Sequence, residues 1–232
     1  MNFEGKRIGF VMTGSFCTFR KTIDELKKII LLGAKVVPIM SENSYTMDTK
    51  FGKAQDFIDK IEEITGEKIL HTIQEVEPLG PKDMLDILVV APATGNTIAK
   101  LANDIIDGPA VMAVKSHLRR ERPVVIGVST NNGLSSAGQN IGKLLNMKHY
   151  YFVPFRQDNP FTKPRSPVFV KIGFYSFYMS KLKYFSDCLL WGLTNYVKWY
   201  IILHVGLNSN VYTIMSKLIM VHCIYVCIQM ST

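Results

Sequence analysis

Two stretches in which an apolar run of strand length breaks into small polar residues, and then into an amphipathic helix, constrain this chain more than anything else in it. The first is Gly9-Phe10-Val11-Met12-Thr13-Gly14-Ser15-Phe16-Cys17-Thr18, and the second is Asp86-Ile87-Leu88-Val89-Val90-Ala91-Pro92-Ala93-Thr94-Gly95-Asn96-Thr97. A continuous apolar strand followed directly by a helix is the repeating unit of a parallel sheet covered on both faces. Such sheets bind ligands beyond the carboxyl ends of their strands, where hydroxyls and the N–H groups of helix starts face one crevice.

In the first stretch, 6–12 reads as a buried strand, and Ile23, Leu26, Ile29 and Ile30 then recur at helical spacing among Lys21, Asp24, Lys27 and Lys28. Gly14 can take a positive φ and admits a ligand close to the backbone, while Ser15 and Thr18 offer hydroxyls at the positive end of a helix dipole. Anion binding and a simple Ser or Thr helix cap both satisfy this pattern. The dinucleotide fingerprint Gly-x-Gly-x-x-Gly and the phosphate-loop Gly-Lys-Ser/Thr are absent. In the second stretch Pro92 ends the strand, and Thr94, Gly95, Asn96 and Thr97 form a polar loop before Ile98, Leu101 and Ala102 open a helix. Asn96 carries a donor and an acceptor together, which suits the edge of a heteroaromatic ring. A third strand end, 123–133, repeats the pattern with Ser129, Thr130 and Asn131.

The order of elements predicts an α/β fold, a Rossmann-like doubly wound parallel sheet in a three-layer sandwich. Strands are expected at 6–12, 34–39, 68–71, 86–91, 123–129 and 149–153, with helices at 19–32, 51–64, 95–104, 108–119 and 134–146. The polar joins 41–50 and 74–83 are expected to lie where they cover a ligand. The formal charge of +8 is scattered among acids apart from the run 115–122, which reads as a helix cap and not as a nucleic-acid contact. Cys17 stands alone before residue 168, which excludes a disulfide framework or clustered metal site in that part. The first residues run into a strand without a secretory signal, so the cytoplasm is the expected compartment.

Composition changes after Pro167. From Val168 onward there is no Ala, Glu, Arg or Pro and one acid, Asp187, while both tryptophans fall there. The expected division is therefore a ligand-binding domain at 1–167 and an aberrant tail at 168–232, frameshifted or disordered. Its apolar runs 199–207 and 218–228 are too short to span a membrane alone.

Gly14-Ser15-Phe16, Ser41 after the second strand, and Ala91-Pro92-Ala93-Thr94-Gly95-Asn96-Thr97 resemble the FMN-binding elements of the flavoprotein family that includes the flavin-dependent cysteine decarboxylases. Lys6-Arg7-Ile8-Gly9-Phe10, Glu77-Pro78-Leu79-Gly80-Pro81 and Tyr151-Phe152-Val153-Pro154-Phe155 resemble the dipicolinate-forming branch of that family, and the likeness runs to about residue 166. The resemblance implies FMN as cofactor, with Gly14, Ser15 and Phe16 on the phosphate and Ser41 on the phosphate or ribityl chain. It implies Pro92 and Thr94 to Thr97 along the ribityl chain and ring edge, and Ser129, Thr130 and Asn131 on the ring or substrate side. It further implies oxidation of a dihydrodipicolinate-type ring in sporulating bacteria, by a homo-oligomeric flavoprotein that works on a small dicarboxylate together with the other, first-named component of a two-component dipicolinate synthase. Lys53, Lys115 and Arg156 are the candidate partners for the carboxylates.

His71 and Asn131 are the candidate catalytic residues. The decarboxylases carry Pro-x-Met-Asn-x-x-Met-Trp where this chain has Val128-Ser129-Thr130-Asn131-Asn132-Gly133-Leu134, and only Asn131 is kept. His71 stands in a place comparable to their catalytic histidine. A decarboxylase or prenyltransferase of the same fold, and a non-catalytic binding component, are the alternative readings.

Overall fold

The computed structural model describes residues 3–169. Five strands form one parallel sheet: β1 (Arg7–Met12), β2 (Lys35–Met40), β3 (Ile87–Ala93), β4 (Val124–Val128) and β5 (Tyr150–Phe152), in the order β2-β1-β3-β4-β5. Order reverses between β1 and β3, so the connections leaving these two strands diverge and open a crevice at their carboxyl ends.

Alternation along the strands builds two cores. Phe10 and Met12 of β1, Val89 and Ala91 of β3, and Val125 of β4 face one side, where α1 (Phe19–Leu31) and α3 (Ala54–Thr65) bring Phe19, Ile23, Leu26, Phe57 and Ile61. Val11, Leu88, Val90, Val124 and Ile126 face the other, against Ile98 and Leu101 of α5 (Gly95–Ala102), Val111 and Val114 of α6 (Pro109–Leu118), and Leu144 of α7 (Gly138–Leu145). Helices therefore cover both faces, giving the three-layer α/β sandwich expected. Each fully buried Phe, Ile or Leu contributes about 1.5–3 kcal/mol by leaving water.

Several local expectations change. The strand expected at 68–71 reduces to a single bridge between Ile39 and Leu70. Thr72 and Glu75 close a capping box immediately afterwards, turning the chain into α4 (Ile73–Val76) before it can pair further. The join 74–83 is thus largely helical, continuing as a 3-10 turn over Glu77–Leu79, and it does not cover the crevice. It docks on α6 instead: the Gly80 N–H donates to Ser116 Oγ at 2.8 Å, and a Cβ on Gly80 would fall 2.6 Å from the Ser116 carbonyl carbon. The helix expected from 134 begins at Gly138, because 132–137 closes turns onto the Asn132 carbonyl. α2 (Glu42–Thr46) is a short helix within the join 41–50, capped by Ser41.

The basic run after α6 clamps the neighbouring segment. Arg119 pairs with Glu77 at 3.5 Å, Arg120 with Asp83 at 3.4 Å, and the largely buried Arg122 with Asp83 at 2.6 Å while also donating to the Leu85 carbonyl. An antiparallel pair, β6 (Phe155–Gln157) and β7 (Pro167–Phe169), follows the sheet, and Val168 bridges to Ser129 at the end of β4. Strand pairing thus runs to Phe169, which is buried, two residues past the boundary expected from composition. Residues 170–232, the rest of the expected tail, lie outside the described residues. Among the described residues no helix is long and apolar enough to cross a membrane.

His117 is buried in α6 with its Nε2 3.2 Å from the Pro123 carbonyl, and burial pushes its pKa from 6.5 down to about 4. An unfolded chain therefore takes up this proton before the folded one does, so stability is full above pH 6.5 and falls between pH 6.5 and 4, by roughly 3 kcal/mol. Denaturant unfolding at stepped pH is expected to show this slope, and His117→Gln is expected to flatten it; an equal slope in the variant would exclude His117 as its source.

Candidate functional site

The crevice is built from strand ends joined by Thr13. This side chain is buried, its Oγ1 donates to the Pro92 carbonyl at 2.7 Å, and it accepts the Thr94 N–H at 3.1 Å. The β1 and β3 turns are thereby held side by side. A second tie links β1 to β4: Ser15 Oγ lies 2.9 Å from Ser129 Oγ, which donates to Thr18 Oγ1 at 3.2 Å, and Thr18 Oγ1 reaches Ser15 Oγ at 3.3 Å. The Thr18 hydroxyl also donates to the Ser15 carbonyl at 2.8 Å, so the three hydroxyls form one chain that ends on the backbone.

Two adjoining chambers share Gly14, Thr94 and Asn96. The smaller, about 290 Å³, is lined by the starts of three helices: Ser41 to Asn43 at α2, Thr94, Asn96 and Thr97 at α5, and Gly108 to Val111 at α6. Thr94 caps α5 by accepting the Thr97 N–H, and Gly108 with Pro109 opens α6. The N–H groups at the starts of α5 and α6, apart from Pro109, which has none, and Thr97, which Thr94 caps, have no partner within their helix and lie at the positive ends of the dipoles. Lys100 also lines it, with Nζ 2.8 Å from both oxygens of Asp107.

The larger chamber, about 870 Å³, runs over Ser15, Phe16, Gly95, Ser129, Thr130 and Asn131 to a rim of Lys21, Lys50, Phe51, Arg156, Asp158 and Lys163. Its charge is strongly positive, because Asp158 alone faces four cations. Lys163 is bound to Asp158 at 2.8 Å and holds that carboxyl below its usual range.

The structure brings most of the expected residues to this crevice. Ser41 and Thr97 line the smaller chamber, and Ser15, Phe16, Gly95, Ser129, Thr130 and Asn131 the larger. Gly14 does not use a positive φ; its open side meets only the Phe16 ring, 3.6 Å from where a Cβ would stand. Pro92 lines neither chamber and serves through its carbonyl. His71 also lines neither: its ring stacks on Tyr45 at 3.8 Å, with Nδ1 3.6 Å from the Glu75 carboxylate. Of the three candidate cations, Arg156 reaches the crevice, whereas Lys53 and Lys115 do not. Sequence reading missed Lys21, Lys50 and Lys163, and it missed the start of α6, for which Pro109 directly after Gly108 is the available signal.

Gly95 is required by close approach. A Cβ there would stand 2.7 Å from both Asn132 Oδ1 and Thr130 Oγ1, which are themselves bonded at 2.6 Å. Gly95→Ala is expected to break that bond and to cost about 1–3 kcal/mol in thermal or denaturant unfolding. A variant as stable as the parent would contradict the packing described.

Comparisons with known proteins agree with this architecture. The chain is 44% identical over 167 residues to the second, or B, component of dipicolinate synthase from Bacillus subtilis (strain 168), covering 72% of this chain and 84% of that protein. It is similar to the crystal structure of the same synthase component from Bacillus halodurans, with TM-score 0.66, 46% identity, and coverage of 73% of this chain and 87% of that one. The FMN-dependent cysteine decarboxylase SpaF shares the fold at 18% identity and TM-score 0.56, covering 77% of this chain and 95% of that one. The model of the Flavoprotein family matches residues 1–162, and the chain belongs to that family.

Proposed function

We propose that this chain is the FMN-binding component of a dipicolinate synthase, which acts with the first, or A, component of that synthase to oxidise a dihydrodipicolinate-type ring to pyridine-2,6-dicarboxylate during sporulation, in the cytoplasm. The observation that carries this reading is the joining of two unlike chambers, one lined by helix starts and the other rimmed by cations. The identity to the Bacillus subtilis synthase component supports the choice of reaction.

The residues present fit a flavin nucleotide. A phosphate suits the smaller chamber, where N–H groups opening α5 and α6 supply donors without a competing side chain at Gly14, while Ser41 Oγ is held by Ser44 at 2.9 Å in the same wall. This moves the phosphate away from Ser15, whose hydroxyl is engaged with Ser129 and Thr18. Asn96, shared by both chambers, is suited to a ring edge, and Thr130 and Asn131 to the substrate side. FMN, when bound, supplies the hydride-accepting chemistry that side chains lack. The protein's part is to bind, orient and exclude water. Asn131 is a hydrogen-bonding residue in this scheme, and His71 has no role in it. Self-association into a homo-oligomer completes the reading: Leu31, Leu134 and Phe161 are exposed apolar side chains that it would cover.

A decarboxylase of the same fold is the second reading. The departure at Thr130, Asn132 and Leu134 and the position of His71 outside both chambers weigh against it. The test is to incubate the full chain with FMN, the partner component and the dihydro compound, following products by mass. Dipicolinate that requires both proteins is expected, with no decarboxylation of a cysteinyl peptide. Decarboxylated peptide from this chain alone would overturn the reading.

A further inference from the structure

Among the described residues the rim of the larger chamber holds four cations, Lys21, Lys50, Arg156 and Lys163, and one acid, Asp158, with Glu25 of α1 also within electrostatic reach of Lys21. Lys163 is matched by Asp158 at 2.8 Å. Lys21 is held from below, its Nζ donating to the Phe169 carbonyl at 2.7 Å and lying 4.8 Å from the centre of the Phe169 ring. Among the described residues its ammonium donates no other hydrogen bond. Lys50 stands 5.4 Å from the Phe51 ring centre. Among the described residues Arg156, Lys21 and Lys50 form no ion pair within 4 Å. Lys21 has its pKa lowered, first by desolvation and next by the Arg156 cation, so these two charges sit close enough to repel.

Two like charges held together beside a cavity mark a place for an anion carrying more than one negative group. The other walls define its shape. Phe16 and Phe51 offer flat apolar surface, and Thr130 and Asn131 offer neutral hydrogen-bonding groups. A guanidinium meets a carboxylate through two parallel bonds, whereas an ammonium meets it as a point charge.

We propose that Arg156 and Lys21 bind the carboxylates of a planar heteroaromatic dicarboxylate at the mouth of the larger chamber, with Lys50 adding to the attraction. The substrate class rests on the flavin-dependent reading above, but the anion site does not require FMN to be present. Arg156 lies on β6 and Lys21 on α1, and β7, paired with β6, carries the Phe169 carbonyl that holds Lys21.

The test is calorimetric titration of the full chain with pyridine-2,6-dicarboxylate, with and without FMN. Arg156→Gln is expected to raise its Kd about tenfold to a hundredfold, and Arg156→Lys by less, since charge is kept and the fork is lost. Pyridine-2-carboxylate is expected to bind the parent protein at least about tenfold more weakly than the dicarboxylate. FMN affinity is expected to stay within about twofold in both variants. If FMN fails to bind while Arg156→Gln still weakens the dicarboxylate, the cofactor reading fails and the anion site stands. No measurable dicarboxylate binding by the parent, or the same Kd in Arg156→Gln, overturns the proposal.

Discussion

The site depends on one buried hydroxyl. Thr13 directly follows β1, and by donating to the Pro92 carbonyl and accepting the Thr94 N–H it fixes the β1 turn to the β3 turn. Burying a hydroxyl costs free energy unless both its hydrogen-bonding functions are used, and here they are. The backbone reinforces that tie, since the Thr13 N–H also donates to the Pro92 carbonyl at 3.3 Å, and together they set the start of α5 beside Gly14 and Ser15. The Ser15, Ser129 and Thr18 hydroxyls extend the tie to β4. The crevice is therefore pre-formed by hydrogen bonds between turns, on strands whose positions are set by apolar packing.

From that frame follows a division of electrostatics. Partial positive charge in the smaller chamber comes from backbone N–H groups, which need no flexible side chain and cannot lose a proton. Full positive charge in the larger chamber comes from long side chains on α1, the 41–53 connection and the β6–β7 segment. The backbone donors suit a group that stays bound, and the side-chain cations suit one that enters and leaves. Lys100 and Asp107 neutralise each other at the edge of the smaller chamber, which leaves its helix starts to set the local field.

Much of this was legible in the sequence. The three strand ends, their helices and most residues of the crevice follow from apolar runs broken by small polar residues, because a strand buried on both faces is apolar throughout and the turn that ends it is not. The cationic rim did not follow. Lys50 and Lys163 lie in connections without periodicity, and Arg156 is on a three-residue strand too short to show alternation. The join 74–83 was misread because Pro78, Gly80 and Pro81 suggested an open loop, while Thr72 and Glu75 had already started a helix. His71 is the instructive case: its place in the chain matches a catalytic position, yet stacking on Tyr45 beside Glu75 keeps it out of both chambers. Order along a chain does not determine which way a side chain faces.

We propose that the helix starts of the smaller chamber bind the phosphate of a flavin nucleotide. It is tested most directly by titrating the full chain with FMN and with riboflavin, which differ only in that phosphate, and following flavin fluorescence. Two or more charge-assisted bonds predict FMN affinity at least about a hundredfold above that of riboflavin. Equal affinity for the two would contradict the account.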